Sequence, residues 1–497
     1  MSGESEISNG LPIILSTEQK PSGRRRKSRR GRYRAAVLIL VHVIIILHIS
    51  HFYMSGRSVS PVEPSESMYA LERGYLNAGT IFFGVAIVGT ALFGRFFCGW
   101  ACHVVALQDL CSFLLGRIGI RPKPLRSRFL ALIPFLVAFY MFFWPTVKRL
   151  WFGFPHPGFS NHLMTENFWR TFPGPVVSVI TFAVCGGLIV YLLGNKGFCT
   201  YACPYGAFFS VSDLVSVARI RVTDACQHCG QCTAACTSNV FVSREVKEFG
   251  MVVDPGCMKC MDCVSVCPND ALYYGLKAKS EKEYTGKPTL KSYDFSLAEE
   301  IVGMLIAGAT IYAMRGLYDT VPLLLAVALG VITAWLFIQF TRIFRKRDLR
   351  IQNLQVKRAG LITTSGYVCI AVLSVWFALS LHSFFVQHYR YRGKQHLSQV
   401  KFAVDELFLF GRRDFSTKER SCIESALTCF QRSNSLGLAD TYDVKIGLAA
   451  THMMQNNVEN AEEYLRQAYK LNPTEIRELL IEFLGTQGRQ EEAKEFY

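Results

Sequence analysis

Long apolar runs, separated by polar links, recur along the chain up to about residue 390. A helix needs about 20 residues to cross a bilayer, and seven of the runs approach or exceed that length. They are residues 35–52, 78–97, 129–147, 175–193, 297–314, 321–340 and 361–386. The pattern therefore predicts a mainly α-helical, polytopic protein that crosses a membrane seven times.

The basic residues predict how these spans are oriented. Lys and Arg cluster at 24–30, 116–128, 219–221 and 342–358, and alternating spans place all four clusters on one side. Because basic links tend to stay in the cytoplasm, we expect the N-terminus and the segment after 219 to be cytoplasmic, at a bacterial inner membrane. The same alternation places three loops and the C-terminal part of the chain outside: 55–75, 152–172, 315–320 and everything after about residue 387. The basic run 389–392 in this outside part is a local exception to the positive-inside rule.

The composition agrees with a membrane protein. Half of the 497 residues are hydrophobic, the mean hydropathy is +0.22 and the net charge is +16. The basic residues stand in short runs beside apolar stretches, so membrane lipid is an expected partner and nucleic acid is not. Twelve of the 17 cysteines follow regular spacings. This usage indicates a reducing compartment, not a disulfide framework.

Eight cysteines repeat one spacing, C-x2-C-x2-C-x3-C, twice within residues 226–267. Three thiolates on a tight loop and a fourth from elsewhere suit a cubane [4Fe–4S] cluster, and in two-cluster ferredoxins the last cysteine of each run binds the other cluster. The rule predicts one cluster on Cys226, Cys229, Cys232 and Cys267 and a second on Cys257, Cys260, Cys263 and Cys236. Structural zinc is the alternative, but it leaves the third cysteine of each run unexplained. The segment resembles a bacterial-type two-cluster ferredoxin, which implies a small inserted α+β domain.

A second cysteine pattern marks the ends of the second and fourth apolar runs. The sequence FCGWAC contains Cys98 and Cys102, and FCTYAC contains Cys199 and Cys203. Cysteines four apart share one face of a helix, so two such helix ends can together supply four thiolates. We expect a further iron–sulfur or thiol redox centre here, or else structural cysteines that pack between helices.

The C-terminal tail, residues 395–497, is polar and helical in pattern. The segments 456–464 and 488–496 are similar and start 32 residues apart, and Ala468 and Pro473 lie between them. This pattern resembles tetratricopeptide (TPR) hairpins. We expect a TPR-like domain that docks a partner oxidoreductase or electron carrier; the alternative is an ordinary helical bundle.

Haem b is not predicted. His42, His48 and His51 lie in the first apolar run, but His42 and His51 point to opposite faces of a helix, and no C-x-x-C-H motif for covalent haem occurs. His156 and His162, near Trp169 in a predicted outside loop, are candidates for contact with a quinol headgroup or a metal, although loop histidines are usually just solvated. No catalytic residue stands out, which favours an electron-transfer subunit of an oxidoreductase system over a stand-alone enzyme.

Two C-x3-C motifs at helix ends, followed by a two-cluster ferredoxin segment, resemble the membrane polyferredoxins of the NapH and NosR type. The likeness covers about residues 35–275 and departs at His103, where that family usually has proline. It implies electron transfer between a quinol pool or cytoplasmic donor and a partner oxidoreductase. A maturation factor or redox sensor, similar to the FixG/CcoG type, is the alternative.

These patterns together predict five segments along the chain. They are a basic cytoplasmic segment (1–34), a four-helix membrane domain with both C-x3-C motifs (35–218), the ferredoxin domain (219–280), three further transmembrane helices (297–386) and the TPR-like tail (395–497).

Overall fold

The computed structural model of the protein describes residues 28, 30–153, 155, 158–168, 174–277, 279, 286, 293–400, 407–408 and 415–496. The chain is mainly helical and folds into two compact units. The first unit comprises the described parts of 1–50, 80–106 and 208–291, and the second those of 51–79, 107–207 and 292–497. Both units are therefore assembled from segments that are distant in the sequence.

Six helices among the described residues are long and apolar enough to cross a membrane. They are Arg30–Ser55, Leu130–Trp151, Pro175–Leu193, Leu297–Met314, Leu323–Arg345 and Thr364–Leu397. The predicted span at 78–97 is instead the helix Ala78–Phe93 of 16 residues, which is about 24 Å long. That length is short of the ~30 Å hydrocarbon core. The helix ends because Gly94 takes a left-handed conformation, with φ of 68°. Among the described residues, six of the seven predicted spans are thus helices of full length, and the other is this shorter apolar helix.

The first unit contains the ferredoxin segment together with helix ends. Besides parts of the apolar helices, the first unit contains four short helices and two strands: the helices Phe96–Trp100, Gln231–Ala235, Val242–Phe249 and Asp262–Val266 and the strands Arg219–Val222 and Leu272–Gly275. The helices His103–Arg117 and Pro204–Leu214 belong partly to this unit. The two strands pair antiparallel, with Val222 opposite Leu272.

The core of the ferredoxin segment is unusual because cysteines are a large part of it. Ile220, Val246 and Val252 are fully buried, and they pack in one cluster with Cys257, Cys263 and further cysteines. A body this small has few apolar side chains to bury, and such domains commonly need metal or disulfide cross-links. We therefore expect a group bound by the cysteines to contribute to the stability of the ferredoxin segment.

Two apolar helices meet the ferredoxin segment with opposite ends. Arg34, in the first turns of Arg30–Ser55, donates from its guanidinium to Asp262 Oδ2 at 2.8 Å. Tyr274 donates from its hydroxyl to the carbonyl of Phe93, the last residue of Ala78–Phe93, at 2.9 Å. The N-terminal end of one helix and the C-terminal end of the next thus lie at the same segment, which agrees with the alternating directions inferred from the basic clusters.

The second unit holds the other membrane helices and the tail. Two of these helices include a π-helical turn, at Phe139–Phe143 and Ala183–Leu188. Shorter elements are the helices Pro64–Ser67, Met68–Arg73, Gly197–Tyr201 and Leu317–Asp319 and the strands Ser58–Val59, Tyr75–Leu76, Ser160–Asn161 and Met164–Thr165. The strands pair the predicted outside loops 55–75 and 152–172 with each other.

The basic link at 342–358 contains a small sheet that the apolar pattern did not predict. The strands Leu349–Ile351, Leu354–Arg358 and Leu361–Ile362 form an antiparallel meander. Gln352, at its first turn, donates to the Leu192 carbonyl at 2.9 Å and accepts from the backbone N–H of Lys123 at 3.1 Å. The predicted inside links at 116–128 and 342–358 therefore meet within this unit.

The basic run at 389–392 is neutralised by acidic residues. Arg390 is buried, with its guanidinium 3.0 Å from Asp319 and in contact with Asp443. Lys394 lies 2.6 Å from the same Asp443. Opposite charges reduce the cost of placing these cations on the predicted outside, which offsets the local exception to the positive-inside rule. The orientation of the domains across the membrane stays a prediction.

The tail is a series of helices. They are Thr417–Leu436, Tyr442–Met454, Val458–Leu471, Pro473–Thr486, Gln490–Ala493 and Lys494–Phe496. Asn456 and Gly488, the equivalent positions of the predicted repeat, both have left-handed φ angles of 61° and 75° and each precedes a helix. The fully buried Leu448, Leu465 and Leu480 come from three successive helices. The TPR assignment itself stays a prediction.

Candidate iron–sulfur centres

The two cysteine runs share one backbone shape. In the first run His228 and Gly230 are left-handed, with φ of 53° and 76°, and in the second run the equivalent Lys259 and Met261 have φ of 49° and 61°. Such alternation turns successive backbone N–H groups towards one point and forms a concave nest, a feature of many anion and iron–sulfur sites. A five-residue helix follows each nest: Gln231–Ala235 in the first run and Asp262–Val266 in the second.

Four cysteines line a single cavity, and we call them the first thiol group: Cys226, Cys229, Cys232 and Cys267. The cavity wall also includes Gln227, His228 and Asn269, which are exposed to solvent. The backbone N–H of Ala271 donates to Cys267 Sγ at 3.3 Å. The first thiol group thus surrounds a small space that opens to the surface of the unit.

The other four cysteines, Cys236, Cys257, Cys260 and Cys263, are the second thiol group. Three of them are buried, with exposed fractions of 7% to 9%. Burial raises the pKa of Cys263 well above its usual value, and the neighbouring Cys260, Cys257 and Cys236 raise it further. Burial likewise raises the pKa of Cys236, with added contributions from Cys260 and Cys257. The four thiols are therefore close enough to repel one another as thiolates.

Thiolate repulsion also acts within the first thiol group. Burial raises the pKa of Cys232 to about 11, and Cys226, Cys229 and Cys267 contribute to the shift. Cysteine must lose its proton to bind metal, and an iron–sulfur cluster supplies the positive charge that offsets the repulsion. Four thiols around each nest therefore fit a cubane cluster. No group of three or more His, Cys, Asp or Glu side chains that could hold a single metal ion occurs in the described ranges.

The first CxxxC segment, residues 96–102, lies directly against the loop of the second thiol group. Trp100 donates from its indole N–H to the Lys259 carbonyl at 3.0 Å. A methyl group added to Gly99 would lie 2.2 Å from the Met258 carbonyl oxygen, so only glycine permits this approach. Cys98, next to Gly99, is 7% exposed. The segment and the cysteine loop are thus packed backbone against backbone.

The second CxxxC segment, residues 197–203, belongs to the other compact unit. Gln108, fully buried, donates from Nε2 to Cys199 Sγ at 3.1 Å and accepts from the backbone N–H of Phe198 at 3.3 Å. The neighbouring Lys196 forms a salt bridge with Asp109. A buried amide donor aimed at a sulfur suits a thiolate or a metal-bound thiolate. Joint binding by both CxxxC segments stays a prediction, because each segment lies in a different unit.

Two buried ion pairs beside the second thiol group escaped sequence reasoning. Lys259 Nζ lies 3.0 Å from Asp213 Oδ1, and both side chains are 0% exposed. Arg34 pairs with Asp262 at 2.8 Å, with 9% exposure each. The sequence does show a lysine between two cysteines and a lone aspartate in the apolar stretch 204–214. It gives no indication that these two residues are paired in the fold.

Two further candidate histidines that the structure describes make ordinary contacts. His42 lies 2.7 Å from the Leu38 carbonyl of its own helix, a local contact. His162 stacks on Tyr75 with ring centroids 3.8 Å apart. His156 and Trp169 lie outside the described residues. The contact of this loop with quinol stays a prediction.

Comparison with protein families identifies both cysteine patterns. A family described as "4Fe-4S binding domain" matches residues 78–121 and 176–222, which include both CxxxC segments. A family described as "4Fe-4S dicluster domain" matches residues 225–272, which include both runs. Both cysteine patterns therefore lie in segments that are similar to iron–sulfur binding domains. These matches favour iron–sulfur chemistry over structural zinc.

Curated relatives cover the same region. YccM of Escherichia coli K12 is 28% identical over 232 residues, 45% of this chain and 60% of that protein. The "methylamine utilization ferredoxin-type protein MauN" of Methylorubrum extorquens is 26% identical over 211 residues, 40% of this chain and 69% of MauN. The "ferredoxin-type protein NapH" of E. coli K12 is 22% identical over 285 residues, 52% of this chain and 95% of NapH. No solved structure matches the chain.

The chain resembles the NapH-type membrane polyferredoxins. The likeness predicted from the motifs is confirmed by these relatives, and their ferredoxin-type names do not favour the maturation or sensor alternative.

Proposed function

We propose that this chain is a membrane-bound electron-transfer protein that relays electrons between a quinol pool or cytoplasmic donor and a partner oxidoreductase. The observation that carries the proposal is the pair of equivalent cysteine nests in residues 226–267, within the match to the "4Fe-4S dicluster domain". The apolar helices, of which Arg30–Ser55 contacts the ferredoxin segment through Arg34, hold it at the membrane. The names of MauN and NapH, as ferredoxin-type proteins, agree with this role.

The first and second thiol groups are the proposed ligands of two [4Fe–4S] clusters. The cavity lined by Cys226, Cys229, Cys232 and Cys267 supports the exchange of the fourth ligand between the two runs. When bound by these thiolates, such a cluster would supply one-electron transfer without a change of ligands. The protein orients the thiolates through the two nests, excludes water from three cysteines of the second group and supplies N–H donors such as that of Ala271.

The CxxxC segments are the proposed site of a further iron–sulfur or thiol redox centre. Cys98, Cys102, Cys199 and Cys203 all lie within the match to the "4Fe-4S binding domain". The hydrogen bond from Gln108 to Cys199 gives that sulfur a donor in a buried setting. Such donors tune the potential of iron–sulfur centres.

The ferredoxin segment is proposed to face the cytoplasm and the tail the opposite side, where the tail docks a partner. The positive-inside pattern of the links supports the first statement. The helical series Thr417–Phe496, with equivalent turns at Asn456 and Gly488, supports a repeat-type binding module.

Anaerobic reconstitution of the purified full chain tests the ligand assignment. Two clusters predict about eight iron atoms per chain, and a further cubane centre about twelve. Replacing Cys199 and Cys203 together with serine should then remove only the iron above eight. Bound zinc without iron, or an iron content that does not fall when Cys229 and Cys260 are both replaced by serine, would contradict the proposal. Reduction of the bound iron by a quinol analogue tests the donor side, and a pull-down with the tail tests the partner.

A further inference from the structure

The two thiol groups are inequivalent although their spacing is the same. In the first run, Gln227 and His228 are exposed, and Cys226, Cys229 and Cys232 are partly exposed. In the second run, the equivalent Met258 and Lys259 are 2% and 0% exposed, and the corresponding three cysteines are buried. The residues that bury the second run come from segments far away in the sequence.

Three contacts join the first CxxxC segment to the second run. Trp100 donates to the Lys259 carbonyl, Gly99 packs on the Met258 carbonyl, and Arg95 donates from its guanidinium to the Pro255 carbonyl at 3.0 Å. Each contact is to the backbone of the loop that starts the second run. The position and shape of this loop are therefore set by the short helix Phe96–Trp100 and by Arg95, which precedes it.

A further contact comes from the first membrane helix. Arg34 donates to Asp262, the residue before Cys263, and Ser28 Oγ donates to the other carboxylate oxygen of Asp262 at 2.7 Å. In the first run the residue before Cys232 is Gln231, an uncharged side chain. Both helix ends near the ferredoxin segment thus converge on the second run. The cavity of the first thiol group instead has exposed polar residues at its edge.

We propose that the second thiol group holds the membrane-side redox centre, which is coupled to Cys98 through Gly99 and Trp100. The first thiol group then holds the solvent-side redox centre, where a water-soluble one-electron carrier protein exchanges electrons with the chain. This inference rests on the proposed function. The exchange moves one electron: the carrier is oxidised and the chain reduced, or the reverse, and no bond forms or breaks and no proton is needed. Trp100 acts as a positioning residue for the Lys259 peptide.

The chemistry around the cavity matches a polar carrier surface. Gln227, His228 and Asn269 line the cavity and are exposed, and all three side chains are polar. Polar, charged contacts are typical of transient electron-transfer encounters, which bury little surface and depend on electrostatic steering. A single charge added here should therefore change the rate of encounter.

Solvent access to each centre is the first test. In the reconstituted full chain, Cys229→Ser and Cys260→Ser assign the paramagnetic signal of each reduced centre. A water-soluble gadolinium chelate is then added and the spin relaxation of each signal is measured. We expect a several-fold larger enhancement for the first centre. An equal enhancement of spin relaxation at both centres, or a larger one at the second centre, would overturn the inference. An absence of iron signals would instead contradict the proposed function.

The positioning role of Trp100 is the second test. Trp100→Phe removes the indole donor and keeps an aromatic ring, and it should shift the spectrum and potential of the second centre only. Tyr201→Phe is the matched control, because Tyr201 holds the equivalent place in the other CxxxC segment and donates to the Leu125 carbonyl at 2.6 Å. The inference is wrong if Trp100→Phe shifts the first centre as much as the second. An unshifted second centre would likewise contradict the coupling.

The site of carrier exchange is the third test. Gln227→Lys should speed, and Gln227→Glu should slow, the reduction of the full chain by a reduced acidic flavodoxin, with a difference that shrinks as salt is raised. Exposed Glu478 in the tail, changed to Gln, serves as the control for a charge change elsewhere. Equal rates for the two Gln227 variants would show that the carrier does not use this face.

Discussion

The first and second cysteine runs of the ferredoxin segment carry the same spacing in two different environments. Their backbones match at His228 and Lys259, which are both left-handed. Yet His228 is at the surface, while Lys259 is fully buried and paired with Asp213. A buried charge must be paired because desolvation is costly. Local spacing thus sets the shape of each nest, and packing against helix ends sets its solvation and its electrostatics.

The largest difference between the two runs is expected when the counter-ion of Lys259 is removed. Asp213→Asn leaves the ammonium buried without an opposite charge and should lower the free energy of unfolding by about 3–5 kcal/mol. Denaturant titration of the full chain in detergent, followed by tryptophan fluorescence, measures the change. The control His228→Ala, at the matching position of the first run, should stay within about 0.5 kcal/mol. Similar losses for both variants would show that the two runs are equally buried.

A smaller loss is expected when the second run loses its link to the first membrane helix. Arg34→Met removes the guanidinium donor and leaves Asp262 with Ser28 as its polar side-chain donor among the described residues, which should cost about 2–3 kcal/mol. Asp262→Gln introduces the side chain that the first run has at Gln231. In a double-mutant cycle, the variant with both Arg34→Met and Asp262→Gln should lose clearly less free energy of unfolding than the sum of the losses of the two single variants. Simple additivity would mean that the ion pair does not form.

Close packing of the first CxxxC segment should appear as a steric effect. Gly99→Ala forces a methyl group against the Met258 carbonyl oxygen and should destabilise the chain by about 1–3 kcal/mol. Gly89→Ala, in Ala78–Phe93, is the control, since nothing lies within 4 Å of its added methyl group. There the higher helix propensity of alanine predicts a gain of up to about 1 kcal/mol. A neutral Gly99→Ala would contradict the backbone contact.

The smallest effect is expected at the tail, whose ion pairs are less buried than those of the second run. Burial alone would raise the pKa of Asp443, but Lys394 and Arg390 outweigh it and hold the pKa below its ordinary value. Because the folded-state pKa is lowered, the stabilisation is present above the ordinary pKa and is lost as the pH falls through the folded value. Asp443→Asn should therefore cost about 1 kcal/mol at neutral pH.

Thermal unfolding of the full chain at neutral pH and near pH 3 checks this sign, since that interval spans the ordinary pKa of about 4. The difference between the wild-type chain and Asp443→Asn should shrink at the lower pH. Asp440, which pairs with Lys445 but is 60% exposed, gives the control variant Asp440→Asn with little change at either pH. A difference that grows on acidification would contradict the lowered pKa.

Several structural features followed from local pattern. Apolar length identified the six long membrane helices, and it failed at 78–97 because Gly94 ends the helix early. The repeat at 456 and 488 marked two equivalent turns. The small sheet at 349–362 was missed because its strands are only two to five residues long, too short for an alternation of apolar and polar residues to stand out.

For the candidate site, the sequence alone determined which cysteines form the two runs and how their loops turn, because spacing and backbone conformation are local properties. It also indicated the chemistry, since thiolates at that spacing suit a cubane cluster. Only the tertiary structure decided which run is buried, which charges accompany it and which CxxxC segment contacts it. These features depend on Arg34, Gly99 and Asp213, which reach the second run from distant parts of the chain. Burial is a property of what packs against a segment, and spacing within the segment does not encode it.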